Sequence, residues 1–102
     1  MTGEYLVPRD QLPDLAFPGV RIAAVNDRGN NADRWLVVEI YRTAGGRYIV
    51  ARTRATTYPD ERDQHEAIIA EDVGEITGFL GFGPLAKEAY QQAGIDAAER
   101  VE

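Results

Sequence analysis

WLVVEIYRTAGGRYIVARTRATT, residues 35–57, decides the fold of this chain. Two stretches rich in β-branched and aromatic side chains flank Gly45 and Gly46, and glycine supplies the positive φ angles that a tight hairpin turn needs. The reading is a β-hairpin. With the two glycines as the central turn residues, Thr43 faces Tyr48, Tyr41 faces Val50 and Glu39 lies opposite Arg52. Such an opposite-charge cross-strand pair is worth about 0.2–1 kcal/mol. A four-residue loop keeps these faces, whereas a three-residue loop turns one strand over relative to the other.

Under the two-residue turn, Leu36, Val38 and Ile40 share a plain aliphatic face with Ile49, Ala51 and Thr53, fit for a core. The opposite face carries Trp35, Val37, Glu39 and Tyr41 with Tyr48, Val50, Arg52 and Arg54. That mixture is too charged for an interior and too apolar for a fully wet surface. Trp, Tyr and Arg are the residue types that dominate protein–protein hot spots. Trp35, Val37, Tyr41, Tyr48, Arg52 and Arg54 are therefore the candidate partner-binding residues, with Arg42, Arg47 and Tyr58 close by. Arginine interleaved with aromatics also stacks on bases and holds phosphates, so a nucleic-acid-associated accessory protein is the alternative.

Outward from the hairpin, VRIAAVN reads as a strand over about 20–26, and NDRGNNADR (26–34) as a polar loop. Residues 1–19 are punctuated by Pro8, Pro13 and Pro18, which favours an extended or turn-rich arm pinned by Leu6, Leu12, Leu15 and Phe17. Downstream, 56–66 is a charged turn segment and 66–71 a further short strand. Asp72 with Glu75 three residues on is a helix start, ahead of Val73, Ile76, Phe79 and Leu80 at helical spacing. Gly81 is placed to end that helix in the left-handed region. Pro84 suits the first position of a second helix, whose stripe is Leu85, Ala86, Ala89, Tyr90 and Ala93. Gly94 and Ile95 resemble a helix-ending clasp.

The expected fold is α+β: a three- to four-stranded antiparallel sheet, a meander with a central hairpin, and two short C-terminal helices packed on one face. Its layout is a single domain over 1–102, with an arm (1–19), the sheet (20–71), a helical pair (72–95) and an acidic tail (96–102). The expected core is Val20, Ile22, Leu36, Val38, Ile40, Ile49, Ala51, Ile76, Phe79, Leu80, Leu85, Ala89 and Tyr90.

The net charge of −6 is unevenly spread: residues 1–58 sum to +2 and residues 59–102 to −8. Phosphate binding needs a net basic surface, so overall acidity counts against a general nucleic-acid binder. With no cysteine there is no disulfide, thiolate nucleophile or cysteine-ligated zinc, and with no serine there is no serine triad. The single His65, among Asp60, Glu61, Asp63 and Glu66, lacks a second histidine. Asp27, Asn30, Asn31 and Asp33 lack the alternate-acid pattern of a calcium loop. The glycines of 77–84 follow a helix instead of a strand, unlike a phosphate loop. The helix pair has too few cations to read DNA.

Neither a membrane span nor a signal peptide is read, so a cytoplasmic location is expected. By elimination the sequence reads as a small non-enzymatic protein-interaction module without metal or cofactor. It would be a regulator or inhibitor of a larger partner, of the accessory kind carried by phages and mobile elements, or a homodimer joined through its sheet.

Overall fold

The hairpin strands are β3 (Arg34–Thr43) and β4 (Tyr48–Thr56), in a computed structural model that describes residues 3–29 and 32–101. Their turn is one residue longer than the glycine pair implies. Thr43 N–H donates to the Arg47 carbonyl at 2.8 Å, Gly46 N–H to the Thr43 carbonyl at 2.9 Å, and Arg47 N–H to Thr43 Oγ1 at 3.0 Å. Ala44, Gly45 and Gly46 thus form a three-residue loop, and Gly46, at φ 88°, takes the positive-φ position that closes it. The pairs are Arg42↔Tyr48, Tyr41↔Ile49, Ile40↔Val50, Glu39↔Ala51 and Val38↔Arg52. This corrects the expected register by one residue, and because side chains alternate with period two, β4 presents the opposite set to each face.

Three further strands, β1 (Gly3–Val7), β2 (Leu15–Asn26) and β5 (Gln64–Ala70), complete a five-stranded antiparallel meander in the order β1-β2-β3-β4-β5. The antiparallel α+β class is as expected, but the sheet has five strands instead of three or four. The N-terminal arm is itself sheet: β1 pairs with Leu15–Gly19, and Pro8 and Pro13 fall in the turn between them. A bulge between Arg21 and Ala23 re-aims β2 halfway along its length. The sheet curls until the chain after β1 meets the start of β5. There Asp10 N–H donates to the His65 carbonyl at 2.9 Å, and His65 N–H to the Asp10 carboxylate at 3.0 Å. Gly19 sits where the strands crowd most, since a Cβ there would lie 2.4 Å from the Arg42 carbonyl oxygen.

Curling gives the sheet two separate apolar faces. Inside the curl, Val7, Phe17, Tyr41, Ile49, Ala51 and Ala67 are buried together, with Tyr5 and Leu15 against them. The rings of Tyr5, Phe17 and Tyr41 lie 4.8–5.8 Å apart in stacked, tilted and edge-on pairs, favourable aromatic geometry. On the outer face, Ala23, Val25, Val38, Ile40, Val50 and Ala70 meet Ile76, Ala86, Ala89 and Tyr90 of the helices. Ile49 and Ala51, expected beneath the helices, belong to the inner cluster, and Val20, expected in the core, is 43% exposed.

Helix α1 (Val73–Leu80) begins as the sequence reads: the Asp72 carboxylate accepts from Glu75 N–H at 2.9 Å. Helix α2 (Pro84–Ala93) starts with its proline and ends at Gly94, which is left-handed (φ 71°, ψ 26°). Ile95 N–H returns to the Tyr90 carbonyl at 2.9 Å, closing the helix end. Gly81 also has positive φ (77°), but its ψ of −157° lies outside the left-handed helical region expected of it. The Tyr90 hydroxyl donates to the Gly81 carbonyl at 2.6 Å and ties the interhelical turn to α2. Helix α2 lies on β2 and β3, and α1 on β5. Among the described residues no helix is long and apolar enough to cross a membrane.

Candidate functional site

The six side chains expected to share one outward face do not share one. Trp35, Val37 and Tyr41 point into the curl, while Tyr48, Arg52 and Arg54 point to the outer side with Leu36, Val38 and Ile40. Tyr41 is sealed at 5% exposure. Its hydroxyl donates to Glu39 at 3.0 Å, and burial first, then the nearby Glu39 carboxylate, push its pKa up to about 12. Glu39, assigned above to Arg52, instead pairs with Arg21 of β2 at 3.1 Å, which raises the Arg21 pKa. Arg52 reaches Glu66 of β5 at 3.1 Å and the Phe79 carbonyl at 3.2 Å.

The arginine–aromatic composition that marked a recognition patch is used up within the molecule. Arg28 stacks on Trp35 at 4.0 Å, Arg34 on Tyr58 at 4.7 Å, Arg42 on Tyr48 at 4.4 Å and Arg52 on Phe79 at 4.5 Å. These four cation–π pairs, each worth about 0.5–1 kcal/mol where exposed, lie at separate places on the sheet. Arg34 is further held by Glu61 through two hydrogen bonds, and Glu61, which also accepts from Thr56, has its pKa lowered by these donors. Trp35, Arg34, Arg54 and Arg62 border an open groove of about 550 Å³.

The acidic segments hold loops. Asp27 accepts from Leu36 N–H at 2.7 Å, and Asp33 accepts from the Thr57 and Tyr58 hydroxyls. Asn30 and Asn31 of that loop lie outside the described residues. His65 falls in β5, with its ring 3.3 Å from Thr53 Oγ1 and its backbone engaged by Asp10. No group of three or more His, Asp or Glu side chains able to hold a metal occurs among the described residues.

What the structure exposes is a surface the sequence reading missed. On the outer face, the helices cover only the second half of β2, where Ala23 and Val25 are buried. The first half pairs with β1, and its outward side chains are Ala16, Pro18 and Val20, beside Glu4 and Leu6 of β1 and Arg42 of β3. Leu6 is 68% exposed, and Ala16 and Pro18 are open as well. The same two strand segments bury Val7 and Phe17 on their inner side, so this ribbon is apolar on both faces. The available signal was Leu6 next to Val7 and Ala16 next to Phe17, apolar residues on both parities of one strand pair, a pattern that asks for two coverings.

Elsewhere Phe82, also exposed (57%), lines a groove of about 900 Å³ together with Lys87, Tyr90, Ile95, Ala97 and Glu99. No known family model matches the chain, and neither a curated protein nor a solved structure matches it.

Proposed function

We propose that this chain is a small non-enzymatic protein-interaction module that docks another protein surface through the bare outer face of β1 and the first half of β2. One observation carries the reading: Leu6, Ala16, Pro18 and Val20 form a continuous apolar strip on a regular, paired part of the sheet that no element among the described residues covers. Contiguous apolar exposure marks interaction surfaces, whereas scattered single residues do not. The strip lies on rigid β-structure anchored from behind by Phe17, Tyr5 and Tyr41, so little ordering entropy is lost when it docks.

A protein partner is favoured over a nucleic acid by the state of the arginines. Arg34, Arg47 and Arg52 are paired to Glu61, Glu71 and Glu66, and the strip is flanked by one cation, Arg42, and one anion, Glu4. The test is a paired capture from lysate of the source cells, with the wild-type chain and a Leu6→Asp/Val20→Asp variant as baits. The proposal expects proteins retained by the wild type to be lost from the variant, with Phe82→Asp retaining them. Identical sets on the wild type and the double variant would remove the bare face from consideration.

A further inference from the structure

We infer that the occupant of this face is a second copy of the same chain, an inference that rests on the docking role proposed above. Charge selects this occupant. Across the strip, Glu4 lies one strand to one side of Pro18, and Arg42 one strand to the other side of Val20. Both side chains are on the outer face and exposed, and among the described residues neither takes part in an ion pair. Every other arginine on β2, β3 and β4 has a carboxylate within 4.0 Å. Among the described residues Arg42 has only the Tyr48 ring, which leaves its N–H donors for an outside acceptor.

The bare face therefore has an apolar centre, a lone anion at one corner and a lone cation at the opposite one. A uniformly basic partner surface is opposed by Arg42 and a uniformly acidic one by Glu4. A copy of the same face satisfies both. Strand spacing and rise put the two Cα atoms roughly 12 Å apart. A two-fold axis lying in the plane of the face, perpendicular to the Glu4–Arg42 line at its middle, sets each Glu4 over the partner's Arg42. Pro18 and Val20 of the two copies then close the space between, and each Leu6, further along β1 beyond Glu4, meets the partner beyond its Arg42, as an isologous interface requires. The chain's charge of −6 repels its copy at long range, but a Debye length of about 8 Å at physiological salt screens that repulsion and leaves contact pairs largely intact.

Sedimentation velocity on the full chain at physiological salt, over a concentration series, tests this. The wild type is expected to shift from 11.3 kDa toward twice that mass as concentration rises. Glu4→Arg alone and Arg42→Glu alone each set like charges together and should weaken the dimer by about 10-fold or more, whereas the double exchange should restore it to within about 3-fold of wild type. Leu6→Asp, at an exposed position that leaves the fold intact, should stay at 11.3 kDa throughout. A wild type of constant 11.3 kDa, or a folded double exchange no better than the single ones, overturns the second copy as occupant. A monomeric wild type whose captured partner is still lost on Leu6→Asp/Val20→Asp separates the two failures: the docking face stands and the occupant is another protein.

Discussion

The two halves of β2 are built on the same alternation and end in opposite circumstances. From Ile22 onward the outer side chains Ala23 and Val25 sit under α2, among the most buried residues in the molecule. Before the bulge, Ala16, Pro18 and Val20 occupy the equivalent outer positions and face solvent. On the inner side, residues from both sides of Gly19 meet the curl: Phe17 is buried, and Arg21 closes over Glu39. The difference is one of reach. A ten-residue helix is about 15 Å long, whereas twelve residues of strand extend for roughly 40 Å. An apolar face written in sequence thus states that something covers it. Whether the cover comes from the same chain is decided by the length and placement of distant elements.

The largest effect is expected at Gly19, in the first half of β2. Gly19→Ala sets a Cβ 2.4 Å from the Arg42 carbonyl oxygen and 3.1 Å from the Thr43 Cα, backbone atoms that cannot rotate aside. The expected loss, read by urea unfolding, is at the upper end of the ~1–3 kcal/mol usual for overpacking. No loss would mean that β2 does not cross β3 so closely. Two valines of the same strand then contrast its halves directly. Val25→Ala should cost about 2 kcal/mol through lost burial and a cavity, whereas Val20→Ala should stay within about 0.5 kcal/mol for the dilute monomer. Equal costs would show that both halves are covered within the single chain.

A smaller effect probes the loop that assigns the faces. Gly46→Ala, at φ 88°, should cost about 1 kcal/mol, whereas Gly45→Ala, outside the positive-φ region and with a Cβ in ordinary contact with Thr43 Oγ1 at 3.9 Å, should cost little. A two-residue turn with both glycines at positive φ would make the two costs alike. The mildest test is pH. Tyr41 titrates at about 12 in the folded chain against about 10 unfolded, so its neutral form is favoured by folding. That contribution is complete below pH 10 and is lost as pH rises toward 12, because the unfolded phenol ionises first. Tyr41→Phe should flatten the fall in stability across this window, with Tyr90, also raised by burial, supplying a remainder of the same sign. An unchanged slope would place Tyr41 in solvent.

Elements with strong local chemistry were legible. The Asp72 cap, Pro84 opening α2, and the Gly94–Ile95 ending all stand where short-range rules put them. The hairpin was legible as a hairpin, but its register turned on whether Ala44 counts as strand or loop, and Thr43 Oγ1 decides that by accepting the Arg47 amide. From that single residue followed the wrong grouping of Trp35, Val37 and Tyr41 with Tyr48, Arg52 and Arg54. Strand β1 was hidden because Pro8 and Pro13, read as marks of an irregular arm, are turn residues between β1 and β2. The bare face was not legible, since exposure depends on which neighbour a helix sixty residues later covers.

Relaxation of methyl NMR signals by a soluble paramagnetic agent, at low and at high protein concentration, reads the cover over the outer face of β1 and β2 residue by residue. The Leu6 and Val20 methyls should be strongly relaxed when the chain is dilute and protected when it is concentrated, with Val25 and Val38 protected at both. Leu6 and Val20 relaxed to the same degree at every concentration would contradict docking of one copy on another. Protection of both in the dilute monomer would contradict the bare face itself.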